Sequence, residues 1–268
     1  MRLDPVPPGV SPELTDDLAR YPGPVLRKNE LREDLDSLGK RMDELQTALF
    51  AESKRALLVV LQARDSGGKD STIRRVFGYL NPQGCLITGF KAPTPVELSH
   101  DFLWRAHYAV PPKGYVGVFN RSHYEDVLVV RVHGLVPESV WRPRYEQINA
   151  FEQVLIENGI AIRKFFLHVS RDEQRARLRD RLGDPSKYWK FNPGDLGERD
   201  RWEDYTRAYQ EMMARTSTPA APWFVVPADR KLPRDILVAR TVVDTLESLD
   251  PKFPGPPRCV EEFARQLA

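Results

Sequence analysis

The sequence predicts an α/β protein with a doubly wound, mainly parallel sheet of about five strands. Short apolar runs alternate with amphipathic stretches of about ten residues or more, long enough for right-handed crossovers between parallel strands. The runs lack strict in-and-out alternation, as expected of strands covered on both faces. The chain has 268 residues, 41% hydrophobic and 29% charged, enough for a sizeable core with little bulk disorder. That length fits one large domain, or one domain carrying an insertion, and a single domain spanning 1–268 is expected.

Residues 1–27 are rich in proline and charge and predict an arm with little core of its own. Over 30–51, Leu31, Leu35, Leu38, Met42, Leu45 and Leu49 recur at helical steps, one apolar stripe that packs on the core. Strands are expected at 56–61 (ALLVVL), 86–90 (LITGF), 115–119 (YVGVF), 160–169 (IAIRKFFLHV) and 223–226 (WFVV). Residues 170–198 break the alternation: dense charge is interrupted by Gly183, Pro185, Pro193 and Gly194. A helix followed by a mobile basic hairpin over the mouth of the sheet is expected there.

Charge and cysteine content narrow the function classes. Lys plus Arg number 40 against 38 Asp plus Glu, too even for a protein that coats nucleic acid. An anionic partner must therefore meet local clusters of base. Cys85 and Cys259 stand far apart, without a Cys-X-X-Cys partner, which suits a reducing compartment and builds no zinc site. No apolar N-terminal stretch and no run of about 18 apolar residues occurs. A cytoplasmic protein without a membrane partner is expected.

Three constellations carry chemistry. Strand 56–61 runs into Gln62-Ala63-Arg64-Asp65-Ser66-Gly67-Gly68-Lys69-Asp70-Ser71-Thr72, and a helix follows. Gly67 and Gly68 let backbone N–H groups converge on phosphate oxygens where the helix dipole favours an anion. Lys69 then places a cation on the bridging or terminal phosphate. Against G-x-x-x-x-G-K-[ST], Ala63 replaces the first Gly and Asp70 the Ser or Thr that meets Mg²⁺. Asp65 would repel bound phosphate unless a metal cation lay between them; the other role open to it is a helix N-cap.

Strand 115–119 runs into Asn120-Arg121-Ser122-His123-Tyr124-Glu125-Asp126. A P-loop kinase presents its second metal-binding acid and an arginine at such a turn. The first polar residue here is Asn120, and Glu125 or Asp126 can supply the missing charge. Arg131 is counted with this set, and His123 is expected as a hydrogen-bonding structural residue. The third set is basic: Arg175, Arg177, Arg179, Arg181, Lys187 and Lys190, with Trp189 and Phe191 between. Such a comb bridges the phosphates of a polyanion, and base interleaved with aromatics also suits single-stranded nucleic acid.

With these sets, Phe102-Leu103-Trp104-Arg105, Pro111 and Gly114, the chain from about 28 to 249 resembles the polyphosphate kinase 2 family. The resemblance implies a P-loop kinase fold similar to thymidylate kinase, with a helical lid at 171–198. It implies reversible phosphoryl transfer between inorganic polyphosphate and nucleotides, with Mg²⁺, or Mn²⁺ in its place. Lys69 is implied to stabilise the transferring phosphoryl, Asp65 to hold the metal and Arg121 to contact phosphate. Ser66, Gly67, Gly68, Asp70 and Ser71 complete the phosphate loop. Asn120, Glu125, Asp126 and Arg131 serve substrate, with Glu125 or Asp126 as further metal ligand. Arg175, Arg177, Arg181, Lys187 and Lys190 serve the lid. Asn120 with Glu125-Asp126 resembles the subgroup acting on both AMP and ADP. Adenine nucleotides, with guanine nucleotides as an extension, and a homo-oligomer are the implied partners, without nucleic acid. An ATP-dependent nucleoside monophosphate kinase would call for Gly at 63 and Ser or Thr at 70. A nucleic-acid-binding module would leave Asp65 unexplained.

Overall fold

A computed structural model describes residues 2–24, 27–256 and 260–267; Cys259 lies outside the described residues. Five parallel strands, in the order β2-β3-β1-β4-β5, form the sheet. They are β1 (Ala56–Ala63), β2 (Cys85–Gly89), β3 (Val116–Asn120), β4 (Ile160–His168) and β5 (Trp223–Pro227). Central β1 pairs with β3 from Leu57↔Val116 to Leu61↔Asn120 and with β4 from Ala56↔Ile160 to Ala63↔Leu167.

Every residue of β1 is buried, and its period of two sorts them between two cores. Leu57, Val59, Leu61 and Ala63 enter the core under α1 (Lys28–Glu52) and the Lys231–Leu249 helix. Ala56, Leu58 and Val60 enter the other, under the Arg144–Glu157 and Trp202–Thr216 helices. α1 begins where Glu30 accepts the Arg27 N–H at 3.1 Å and ends at Ser53, whose φ of 52° is left-handed. Its stripe buries all six leucine and methionine positions expected of it.

Three expectations need correction. β2 is not covered on both faces: it is the sheet edge, and Leu86 and Ile87 are exposed. The arm does contribute core, since Val6, Leu14 and Ala19 are buried. The Val6 N–H donates to Trp223 O at 2.8 Å, and the Asp229 N–H to Ala19 O at 3.1 Å. The lid carries no hairpin among its described residues: the Arg171–Leu182 helix leads to a 3₁₀ turn, Pro185–Lys190, and a short helix, Gly194–Asp200. Asp184 and Asn192 accept from the N–H groups of Ser186 and Gly194, so local capping outcompetes strand pairing.

After β1 the chain builds β2 and β3 on one side, then β4 on the other. The carboxyl end of β1 therefore opens at the reversal of strand order, where open α/β sheets bind ligands. Among the described residues no helix is long and apolar enough to cross a membrane.

Candidate active site

β1 ends at Ala63, and α2 (Lys69–Val76) starts after one tight turn. Ser66 and Gly68 have φ of 60° and 107°. A Cβ on Gly67 would stand 2.6 Å from that of Ala63, and one on Gly68 would stand 2.0 Å from Arg234 Nη1. Both positions therefore require glycine. The turn forms one wall of a cleft of about 420 Å³, with Asn120 and Arg121 opposite and Arg177, Arg181, Lys187 and Lys190 above.

The Lys69 side chain is buried, and its Nζ donates to Ala63 O at 2.8 Å. Burial, then the nearby Arg121 charge, depresses its pKa to about 8, against the pull of Asp65, Glu125 and Asp70. Arg121 has φ of 61° and donates to Asp65 Oδ1 at 2.7 Å, with Glu125 Oε2 at 3.6 Å from its other terminal nitrogen. Burial works against that guanidinium, yet Glu125 and Asp65 hold it above the usual arginine range. Asn120 Nδ2 donates to Asp70 Oδ1 at 2.8 Å. Two of the three departures from the kinase consensus, Asp70 and Asn120, are thus one complementary pair. A second Asp at 120 would face Asp70 with like charge.

Other site candidates lie elsewhere. Asp126 faces Arg144 at 3.1 Å and Arg105 at 3.8 Å, outside the cleft lining. Of the two acids, Glu125 is the one that stands with Asp65 around Arg121. Arg131 is bound to Glu211 at 2.7 Å and to the Tyr145 hydroxyl at 3.1 Å, also outside the cleft lining. His123 is buried against Tyr124 and Phe151 in tilted and edge-on ring contacts, with Glu152 Oε1 at 3.6 Å from Nε2, too long for the expected hydrogen bond. Under it, Lys164 Nζ donates to Glu152 Oε2 at 2.6 Å, the Tyr124 hydroxyl at 2.8 Å and Thr216 O at 2.7 Å.

The lid residues divide in the same way. Arg175 is exposed and outside the cleft lining. Arg181 reaches the cleft while donating to Asp195 and to Lys190 O. Arg177 donates to the carbonyls of Ser66, Gly67, Ala228 and Asp229 and to Glu173. All its donors are used, so it braces the phosphate loop from the lid helix. Gln174 adds a bond to Asp65 O at 2.9 Å.

Arg234, Lys231 and Lys91 also line the cleft, and sequence patterning missed them. Arg234 is fully buried, held by Asp235 Oδ1 at 2.8 and 2.6 Å and by Ser71 Oγ at 3.0 Å. Its Nη1 has no partner, and neither has the buried Ser66 Oγ. Unsatisfied polar groups facing a glycine turn are what an absent anion would satisfy. One signal was available: two cations in the first turn of a helix oppose its dipole.

The family model described as Polyphosphate kinase 2 matches residues 25–254. The chain belongs to the polyphosphate kinase 2 family. It is 49% identical over 248 residues to an AMP/ADP-polyphosphate phosphotransferase of Meiothermus ruber, covering 92% of each chain. It is 43% identical to an ADP-polyphosphate phosphotransferase of Rhodopseudomonas palustris, covering 89% of this chain and 88% of the relative. The crystal structure of polyphosphate kinase 2 from Arthrobacter aurescens superposes with a TM-score of 0.89 at 44% identity, covering 92% of this chain and 88% of that one. The fold is therefore that of a polyphosphate kinase 2.

Proposed function

We propose that this family member transfers phosphoryl groups from inorganic polyphosphate to AMP and then to ADP, in the cytoplasm. The observation that carries this reading is the buried Lys69 ammonium, set among Asp65, Asp70 and Arg121 at the head of a glycine turn. Those charges suit a terminal phosphoryl group that passes between two anionic oxygens. The nucleotide's terminal phosphate oxygen attacks; the bond to the shortened polyphosphate breaks, and no proton has to be removed. The family relationship supports polyphosphate as donor and the adenine nucleotides as acceptors.

Lys69 and the turn N–H groups hold the transferring group, Arg121 orients the anions, and the lid excludes water. Mg²⁺ fits the donor set, because it binds one or two carboxylates and keeps the rest of its shell for phosphate oxygens and water. Asp65, which lines the cleft, is the residue that would hold it, with Glu125 behind Arg121 and outside the lining as the second acid, and when bound it would offset charge on the phosphate oxygens.

The test is a time course with purified protein, Mg²⁺, polyphosphate and AMP. ADP should appear first and ATP after it, without added adenylate kinase. Asp65→Asn should lose most activity and recover part of it at high Mg²⁺. Asp65 does not cap α2, whose N-cap is Gly68, and its carboxylate meets Arg121 instead, so full activity in Asp65→Asn would deny it a metal role. A course that stops at ADP defeats the dual-acceptor reading, and failure to use polyphosphate at all defeats the whole.

A further inference from the structure

We propose that the unreacted length of the polyphosphate donor leaves the cleft past Arg234 and Lys231 and lies in a second basic groove beside α1. This rests on the transfer reaction just described. A linear polyanion carries charge at every repeat, so whatever lies beyond the reacting end also needs cations or water.

A cavity of about 790 Å³ adjoins the cleft, and Lys231 lines both. Lys28, Arg32, Arg75 and Arg230 supply its other cations. Arg75 is tied to buried Asp235 at 3.3 Å. The two acids of the lining are already engaged. Asp36 accepts from the Tyr79 hydroxyl, and Asp229 accepts the Ser170 N–H and hydroxyl at 2.8 Å each. Lys28, Arg32, Arg230 and Lys231 are exposed and enter no ion pair among the described residues. Neutral donors leave both carboxylates charged, so the lining sets five cations against two acids and is net positive.

The junction between the two cavities points the same way. The Lys231–Leu249 helix has no acid in its first turn and no side-chain cap. Lys231 lines both cavities at this helix start, and Arg234, whose Nη1 is unpartnered, lines the cleft beside it. Asp235 already pairs with Arg234, so exposed Lys231 and the helix N–H groups are the positive features left at this start, where the dipole favours an anion. A mononucleotide brings its phosphates to the reacting end only. A chain extending from that end reaches both cavities.

The experiment compares wild type with the double variant Arg32→Gln, Arg230→Ser. Both side chains are exposed, and Ser at 230 is a good N-cap, so folding should be kept and is checked by thermal melting. At saturating ADP, KM for long-chain polyphosphate should rise roughly five- to tenfold. The dependence of log KM on log salt should flatten by about 0.7 per lost contact, as for a single-stranded polyanion. KM for tetrapolyphosphate and for ADP should not change. Equal effects on long and short chains, or none, would overturn the proposal. A change in KM for ADP alone would make the groove a nucleotide site and also overturn it. Wild type that uses no polyphosphate of any length would instead sink the transfer reaction itself.

Discussion

Lys69 shows how one buried charge links stability to catalysis. Its ordinary pKa of 10.5 falls to about 8 in the folded protein. Across that interval the unfolded chain holds a proton that the native chain has released, so this group makes unliganded stability rise with pH. Bound phosphate favours the ammonium, so donor binding weakens as pH climbs past about 8. The expected profile is a fall in kcat/KM for polyphosphate above that pH. Lys69→Arg, which stays protonated, should lose this limb, and Lys69→Ala should cost about 10²-fold in rate at every pH. Survival of the limb in Lys69→Arg would assign it to another group. At the facing strand end, Asn120→Asp should set two carboxylates together and cut activity at least about tenfold, by roughly the energy of a lost charged hydrogen bond. Adding Asp70→Asn should recover much of that loss, whereas additive losses would mean the two residues act independently.

Among the elements, the Arg171–Leu182 helix braces the phosphate loop through Arg177 and Gln174. Arg177→Ala should cost about 2–3 kcal/mol, the scale of charged hydrogen bonds left unmade. Arg177→Lys should rescue little, because one ammonium cannot satisfy four carbonyls. Arg175→Ala should leave KM for polyphosphate within about twofold, as exposed charges commonly do. Melting curves and donor titrations on these three variants separate the roles. Four-residue spacing sets Arg177 and Arg181 on one helical face and Arg175 and Arg179 on a neighbouring one, but it could not tell a bracing arginine from one that reaches the cleft. What differs is which carbonyls lie opposite, and those come from residues more than a hundred positions upstream and some fifty downstream. The strands and the glycine turn were legible because burial and close approach restrict local residue choice. Exposed β2 escaped, since an apolar run looks alike at a sheet edge and at its centre. Arg234 escaped because it reaches the site only after the last crossover brings its helix beside Ser71.

At the scale of the molecule, the N-terminal arm joins the Trp202–Thr216 helix to β5. The Gly9 N–H donates to Ala214 O, Ser217 Oγ donates to Val6 O, and Gln210 Nε2 donates to Pro12 O. It also meets the bracing of the site, because Asp229, whose carbonyl accepts from Arg177, donates its N–H to Ala19 O. Removing residues 2–19 exposes the sites of Val6, Leu14 and Ala19, a loss of roughly 4 kcal/mol and of roughly 10 °C in Tm. KM for polyphosphate should rise in the truncated protein as the Asp229 turn loosens. A truncated protein with unchanged Tm would show that the arm is only laid on the surface.

The strand order also sets a schedule for synthesis. β1 leaves the ribosome among the first strands, but its neighbours begin only at 116 and 160, and Arg234 comes later still. At usual elongation rates roughly ten to thirty seconds separate the end of β1 from that arginine. Until residues 116–120 are made the run from Leu57 to Leu61 has no strand to join, and until Gln174 and Arg177 follow the glycine turn has no brace. A nascent chain of this kind is a client for chaperones that shield short apolar segments. Polyphosphate cannot assist its folding early, since the cradle that would bind it is finished only once Arg234 has been made.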